Sequence, residues 1–235
     1  MKLIKSLIFK IKRKLSYTSK ERFVSFLRNQ GVKIGDELFI TNEYKTILID
    51  LTRPSLVEIG NRVRLNKNLT ILTHDAGYYV LRNKYNEFIP QSGKVKIGNN
   101  VYFGRNCSVF KGVEIGDNCI IGFGSVVTRS IPANSVAVGQ PAKVIATIDE
   151  YYEKRKKLCI EEAFAYARSI KERFNRMPVV EDFWEEFPLF VNGYEYDKYP
   201  TLPIKEQLEY TFDDWVKNHK AVFNDFDDFL RHAGL

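Results

Sequence analysis

Cysteine is scarce in this chain, and its spacing excludes a disulfide scaffold. The 235 residues include three cysteines, Cys107, Cys119 and Cys159, with no CxxC pair among them. An odd, widely spaced set of cysteines provides no disulfide framework. We therefore expect free thiols in a reducing compartment.

Long apolar segments are also missing. No run approaches the roughly 20 apolar residues that cross a bilayer, and no signal peptide with a small-residue cleavage site is present. These absences predict a cytoplasmic protein. Hydrophobic residues make up 44% of the chain and aromatic residues 14%, which is enough for a buried core and argues against disorder.

The net charge of +7 is concentrated at one end. Residues 1–30 contain nine basic residues and one acidic residue, so the rest of the chain is close to neutral. This distribution argues against a nucleic-acid-binding surface spread over the fold. Leu3, Leu7, Ile11 and Leu15 recur at helical spacing and predict a basic amphipathic helix over residues 1–30. The helix packs either on the body of the protein or a neighbouring subunit, or it lies on anionic lipid through residues 1–20.

A period of six residues dominates the middle of the chain. From Ile97 onward the sequence divides into IGNNVY, FGRNCS, VFKGVE, IGDNCI, IGFGSV and VTRSIP. The first positions of the hexads form one apolar column: Ile97, Phe103, Val109, Ile115, Ile121 and Val127. A second column of small or β-branched residues lies two positions earlier: Val95, Val101, Cys107, Val113, Cys119 and Ser125. Upstream, IGNRVR, LNKNLT and ILTHDA continue the register, and a weaker start lies at residues 34–35.

Such a period fits neither an amphipathic helix nor an alternating strand. It predicts a solenoid in which each hexad supplies one short strand and one corner, and in which three hexads close a triangular coil. We place this mainly β domain at residues 31–148. Glycine and asparagine at the corners suit backbone conformations with positive φ. Cys107 and Cys119 belong to the inward column and are therefore expected to be buried structural thiols.

The register breaks once, between Ile71 and Val95. We expect residues 74–94 to form a loop ejected from the coil, and long loops in compact domains are frequently functional. The break begins at His74, the only histidine of the repeat region. Beyond the repeats, residues 149–235 predict a helical extension that opens with one long helix over DEYYEKRKKLCIEEAFAYARSIKERF.

The hexads, the phrase IGNNVYFGRNCSVFKGVEIGDNCIIGFGSVVTRSIPANSVAVGQPAKVI and the THD before the break resemble the hexapeptide-repeat acyltransferases. Within them, the sequence is most similar to sugar and surface-polysaccharide O-acetyltransferases of the galactoside and maltose acetyltransferase type. The resemblance covers about residues 55–150. It implies a left-handed parallel β-helix, a homotrimer, acetyl-CoA held between subunits, a carbohydrate acceptor and no metal.

The same resemblance implies roles for particular residues. His74 would be the general base that takes the proton of the attacking hydroxyl, and Asp75 would orient the imidazole or contact the sugar. Coenzyme-binding candidates are Arg105, Gly122, Phe123, Ser125, Thr128, Arg129 and Lys143, with backbone groups of residues 122–125 lining the pantetheine arm. Acceptor-binding candidates are Tyr78, Tyr79, Arg82, Tyr85, Asn86 and Tyr102. Tyr102 stands where many relatives have tryptophan, and tyrosine can stack on a ligand but lacks the indole donor.

Several alternatives remain open from the sequence. The same fold and base would serve N-acylation of an amino-sugar nucleotide, or acetylation of a streptogramin-type antibiotic. A β-helical carbonic anhydrase needs three histidines for zinc, and His219 and His232 lie in the predicted helical extension, which argues against that class. A β-helix that acts only as an assembly scaffold is the non-enzymatic alternative.

Overall fold

The protein is described from a computed structural model that covers the backbone of residues 2–235 and the side chains from residue 7 onward. The chain divides into two compact units, residues 1–151 and residues 152–235. Seven α-helices are present in the described part of the chain: α1 (Lys2–Ser16), α2 (Lys20–Gln30), α3 (Tyr78–Tyr85), α4 (Ile148–Phe174), α5 (Ile204–Leu208), α6 (Phe212–Asn218) and α7 (Phe226–His232).

The strands all belong to the first unit, and most are two or three residues long. They are β1 (Lys33–Ile34), β2 (Phe39–Ile40), β3 (Leu48–Ile49), β4 (Val57–Ile59), β5 (Arg64–Leu65), β6 (Thr70–Ile71), β7 (His74–Asp75), β8 (Gln91–Ser92), β9 (Val95–Ile97), β10 (Val101–Phe103), β11 (Ser108–Val109), β12 (Glu114–Ile115), β13 (Cys119–Ile121), β14 (Val126–Val127), β15 (Ser135–Gly139) and β16 (Ala142–Thr147).

Three parallel sheets form the sides of a β-helix. Their strand orders are β1-β4-β9-β12, β3-β6-β11-β14 and β2-β5-β10-β13-β15, and β16 adds an antiparallel edge to the last sheet. Ile97 is in register with Ile115, and Phe103 is in register with Ile121. Each hexad position therefore meets the same position three hexads later, as the triangular coil requires.

Both predicted columns point into the coil. Leu65, Ile71, Phe103, Val109 and Ile121 are each 0% exposed, and the other column members from Val57 to Val127 are also buried. The thiols of Cys107 and Cys119 lie in this core, where burial raises their pKa values. The prediction of a continuous apolar core with buried thiols is confirmed.

Asparagine side chains connect neighbouring coils at one corner. Asn100, Asn118 and Asn134 all adopt positive φ, where the short side chain is tolerated. Asn100 Nδ2 donates to Asn118 Oδ1 at 2.9 Å, and Asn118 Nδ2 donates to Asn134 Oδ1 at 3.0 Å. The ladder repeats once per coil and holds the stacked corners in register.

The N-terminal segment is two helices, so the prediction of one helix over residues 1–30 is wrong. Met1 lies outside the described residues, as do the side chains of residues 2–6. Ser19 has extended backbone and its hydroxyl accepts from Arg22 N, which begins α2. Phe23 and Leu27 of α2 are buried in the apolar core of the β-helix unit.

The ejected segment leaves and rejoins the coil at adjacent points. Gly93 N donates to Thr73 O at 2.9 Å, and β7 pairs with β8 as an antiparallel ladder. Between these strands the chain forms α3, which the sequence pattern did not predict. Asn86, in the left-handed region, ends that helix and donates its N–H to Arg82 O.

The second unit is helical and contains its own aromatic core. Most of the long helix α4, from residue 152 onward, belongs to this unit, and the helix begins at Ile148, close to the predicted start. Phe183 packs edge-on against Phe229 with ring centroids 5.2 Å apart, and Phe190 packs similarly against Phe226 at 5.0 Å. None of the helices described in the structure has the length and apolar content that a membrane-spanning segment needs.

Candidate active site

The candidate site is built at the corner that follows the β3-β6-β11-β14 sheet. Asp50 N donates to Ile71 O, Leu72 N donates to Val109 O, and Phe110 N donates to Val127 O, at 2.9 to 3.0 Å. The residues that follow each strand therefore stack one coil above another, about 4.8 Å apart. The polar residues brought to this corner are Asp50, Thr52, Thr73, His74, Lys111, Thr128 and Arg129.

The imidazole of His74 is held by a buried carboxylate. His74 Nδ1 lies 2.5 Å from Asp50 Oδ2 and 3.1 Å from Thr52 Oγ1. The side chain of Asp50 is 4% exposed, whereas that of His74 is 31% exposed. The ring is therefore anchored at its inner edge and open to solvent at its outer edge.

Asp50 is kept ionised by the groups around it. Burial alone would raise the pKa of its carboxyl, but hydrogen bonds from Thr73, Thr52 and His74 outweigh burial and place that pKa well below its usual range. Thr73 donates both its N–H and its hydroxyl to Oδ2, and Thr52 donates both to Oδ1. Both carboxylate oxygens of Asp50 therefore accept hydrogen bonds.

This environment defines the protonation of the ring. An ionised carboxylate only accepts hydrogen bonds, so Nδ1 must carry the proton that it donates to Asp50. The remaining nitrogen, Nε2, then has a free lone pair in the neutral ring. The arrangement can accept a proton at Nε2 and stabilise the resulting imidazolium.

Asp75 does not hold the imidazole, and the prediction that it orients the ring is wrong. Its carboxylate pairs with the ammonium of Lys111 on the next coil and accepts from Gly77 N. The ion pair with Lys111 is the largest cause of the lowered pKa of Asp75. Asp75 therefore fastens the start of the ejected segment to the coil, beside His74 in the chain.

The predicted acceptor-binding residues of the ejected segment lie on or just after α3. Tyr79 and Tyr85 expose more than half of their side chains, and Arg82 lies 5.4 Å from the ring of Tyr79. Tyr78 instead packs on Phe88 with ring centroids 4.2 Å apart. The residues that remain open to a ligand are Tyr79, Arg82 and Tyr85, while Asn86 ends the helix.

The predicted coenzyme-binding residues separate into two corners. Thr128 and Arg129 are exposed at the corner of His74. Arg105, Gly122 and Phe123 follow the strands of the β2-β5-β10-β13-β15 sheet, at a different corner. The hydrogen bond from Gly124 N to Arg105 O stacks the two coils at this corner. Phe123 is 72% exposed there.

Two further features complete this second corner. Lys143 is exposed and pairs in register with Val138. A Cβ added at Gly122 would lie 2.6 Å from Cγ1 of Val138. A side chain at position 122 would therefore have to displace Val138. Arg105 is also 3.8 Å from Glu43 Oε2, a surface ion pair that a ligand can readily displace.

The side chain of Ser125 is structural, so its predicted part in coenzyme binding rests on its backbone alone and stays a prediction. Its side chain is fully buried, donates to Gly122 O at 2.7 Å and accepts from Gly139 N. Tyr102 lies on β10, in register with Arg64 and Ile120, and is 41% exposed. Tyr102 therefore lies on a different sheet from the one whose strands precede the corner of His74.

Sequence reasoning missed Asp50, Thr52, Thr73 and Lys111. Each of them comes within three residues of Ile49, Ile71 or Val109, which the structure stacks in register at the strands that precede this corner. For Thr73 and Lys111 the sequence offered a signal, because Ile71 and Val109 belong to the predicted column. Within the side chains that the structure describes, no cluster of three or more His, Cys, Asp or Glu is placed to hold a metal ion.

Comparison with known proteins identifies the class that this fold defines. Residues 94–129 match the family model described as "Bacterial transferase hexapeptide (six repeats)". The chain is 37% identical over 129 residues to "Protein CapG" of Staphylococcus aureus, and the alignment covers 54% of this chain and 73% of that protein. It is 38% identical over 136 residues to the galactoside O-acetyltransferase of Escherichia coli (strain K12), which covers 56% of this chain and 63% of that enzyme.

A solved structure gives a similar comparison. The maltose O-acetyltransferase of Clostridium difficile 630 is 31% identical, covers 60% of this chain and 84% of its own, and has a TM-score of 0.44. The chain belongs to the hexapeptide-repeat acetyltransferases. It is therefore an acyltransferase, and membership in this family implies the left-handed sense of its coil.

Proposed function

We propose that this protein is an acetyl-CoA-dependent O-acetyltransferase that modifies a sugar or a surface-polysaccharide precursor, with His74 as general base. The observation that carries the proposal is the contact between the buried, ionised Asp50 and Nδ1 of a partly exposed His74. An alcohol is a weak nucleophile near neutral pH, and a positioned imidazole supplies the base that it needs.

The proposed reaction is a direct transfer. The acceptor hydroxyl gives its proton to Nε2 of His74 while its oxygen attacks the thioester carbonyl of acetyl-CoA. The tetrahedral intermediate collapses with cleavage of the C–S bond, and the imidazolium returns the proton to the leaving sulfur. The products are the acetyl ester and free CoA. Asp50 stabilises the imidazolium and fixes the tautomer, as the carboxylate of a catalytic triad does.

The two corners of candidate residues support a coenzyme site shared between copies of the chain. Arg129 lies at the corner of His74, whereas Arg105 and Lys143 lie at another corner of the same coil. In a homotrimer, one corner from each of two adjacent copies would face the same groove. Guanidinium and ammonium groups suit the phosphates of the coenzyme, and the exposed ring of Phe123 suits its apolar portions.

The ejected segment supports a carbohydrate acceptor. It places exposed tyrosine rings and the Arg82 guanidinium on α3, which follows directly after His74 and Asp75. Aromatic faces stack on sugar rings, and cationic or carboxylate groups bind their hydroxyls. The galactoside and maltose enzymes among the similar proteins act on sugars, as their names state.

The test is a CoA-release assay against a panel of hydroxyl-bearing and amino-bearing sugars, with acetyl-CoA as donor. We expect turnover with a hydroxyl acceptor and an ester product by mass spectrometry. Turnover restricted to amino acceptors would replace the proposal with N-acylation. Thermal-shift titration with acetyl-CoA separates enzyme from scaffold, because a specific ligand at 100 times its Kd stabilises the fold by about 2.7 kcal/mol. No shift and no turnover would contradict both enzymatic assignments.

A further inference from the structure

The described side chains of helix α1, from residue 7 onward, form two apolar faces, and one of these faces packs within the fold. Phe9 packs on Phe26 of α2 with ring centroids 5.9 Å apart, and Ser16 is buried on the same side. The aliphatic side chains of Leu7, Ile8, Ile11 and Leu15 are 46% to 59% exposed. At 100° per residue these four fall on one stripe on the far side of the helix from Phe9.

Basic side chains border this stripe on both edges. Lys10 and Lys14 follow Leu7 and Ile11 by three residues, and Lys12 follows Ile8 by four, so each lies next to an aliphatic neighbour. All three lysines are exposed, and among the described residues none is paired with a carboxylate. Long lysine stems can lie along an apolar surface while their ammonium groups reach a charged layer above it.

We propose that this surface, the α1 stripe (Leu7, Ile8, Ile11 and Leu15 with Lys10, Lys12 and Lys14), binds an anionic lipid surface. The inference goes beyond the proposed acetyl transfer, and α1 contributes no residue to the candidate active site. Helix α1 contains no acidic residue, so its occupant must bring the negative charge.

The occupant of the stripe must supply negative charge together with an apolar layer. Residues 31–235 sum to a net charge of −1, but their acidic residues are concentrated in residues 177–235, which hold 13 acidic and five basic residues. Pairing the stripe with α1 of a second copy would place like charges together, and the acidic segment of a second copy is the alternative partner that sedimentation velocity tests. An anionic bilayer supplies both an apolar layer for the aliphatic side chains and phosphates for the lysines.

The test is co-sedimentation of the full-length protein with vesicles of phosphatidylcholine alone or with 30% phosphatidylglycerol. We expect binding to the anionic vesicles at about tenfold or greater affinity than to neutral ones, falling steeply as salt rises from 0.1 M to 0.5 M. Equal binding to both vesicles, or binding that salt does not change, would overturn the proposal.

Paired variants separate the two contributions. Ile11→Ser/Leu15→Ser should weaken binding to anionic vesicles by at least about tenfold, because two aliphatic groups no longer insert. Its control, Met177→Ser/Val222→Ser, removes similarly exposed side chains from the second unit and should bind as wild type. Lys10→Gln/Lys14→Gln should also weaken binding, whereas Lys154→Gln/Lys157→Gln on α4 should not.

Oligomeric state and turnover complete the test. Sedimentation velocity without lipid should show the same assembly for wild type and Ile11→Ser/Leu15→Ser, with unchanged turnover on a soluble acceptor. A variant that loses subunits, with unaltered lipid binding, would show that the stripe is a self-association face and would overturn the proposal. Unchanged lipid binding in all variants would do the same.

Discussion

The carboxylate of Asp50 and the imidazole of His74 are 24 residues apart in the chain, yet Asp50 Oδ2 lies 2.5 Å from His74 Nδ1. They meet because each follows a strand of the same sheet, on successive coils of the β-helix. The contact joins a buried ionised carboxylate to a partly exposed imidazole, and most of the chemical predictions depend on it.

Replacement of the base should abolish most turnover without unfolding the coil. We expect His74→Ala to lower kcat by about 10²- to 10⁴-fold, the usual contribution of a general base, while the KM for acetyl-CoA stays the same. Steady-state CoA release measures the rate, and circular dichroism checks the fold. His232→Ala, in the second unit, is the matched control and should retain the wild-type rate. Turnover of His74→Ala within a few fold of wild type would refute the assignment of the base.

Neutralising the buried carboxylate of Asp50 should lower kcat, because this carboxylate holds the His74 imidazole. Asp50→Asn removes the charge that stabilises the imidazolium and no longer enforces the proton on Nδ1, so we expect kcat to fall by about 100-fold with little change in either KM. A merely structural role would instead lower the amount of folded enzyme, which circular dichroism measures, and leave kcat per folded molecule unchanged. Asp36→Asn, at an exposed surface ion pair, serves as control.

Asp50 also makes stability depend on pH in a defined direction. Its pKa in the folded state is lowered, so the folded state favours the ionised carboxylate more than the unfolded chain does. The corresponding stability is fully present above about pH 4, the unfolded value, and is lost as pH falls below it. Urea midpoints measured from pH 7 to pH 3 should therefore drop less steeply for Asp50→Asn than for wild type. Parallel curves for the two proteins would contradict this.

The pair of Asp75 with Lys111 should control acceptor binding. Lys111→Ala removes the contact that fastens the start of the ejected segment to the next coil, so we expect a several-fold rise in the KM for the sugar and an unchanged KM for acetyl-CoA. Lys96→Ala, which breaks a comparable ion pair with Glu114 on another sheet, is the control and should change neither constant. A rise in both KM values for Lys111→Ala would indicate a general disturbance of the coil.

The sequence alone determined the solenoid and its inward columns, and it identified His74 as the candidate base. The solenoid pattern is repeated in every hexad, so Ile97, Phe103 and Val109 carry the same local constraint many times over. His74 was identifiable because a break in that repeat is visible without coordinates. The two N-terminal helices and α3 were not identifiable in this way, because Ser19 and Asn86 act as caps only once the flanking backbone has its conformation.

Only the tertiary structure decided which carboxylate serves His74. In the sequence, Asp75 is the acid adjacent to His74, and Asp50 is one acid among many. Adjacent residues on β7 point to opposite faces, so the Asp75 side chain points away from the His74 ring. Stacking of the coils instead brings the Asp50 carboxylate to Nδ1 of that ring. The same stacking buried Ser125 and separated Arg129 from Arg105 by a corner. Contacts between coils depend on how many residues lie in the intervening turns. The turn between β3 (Leu48–Ile49) and β4 (Val57–Ile59) is longer than a hexad allows, and this turn and the ejected segment hide that count from a periodic pattern.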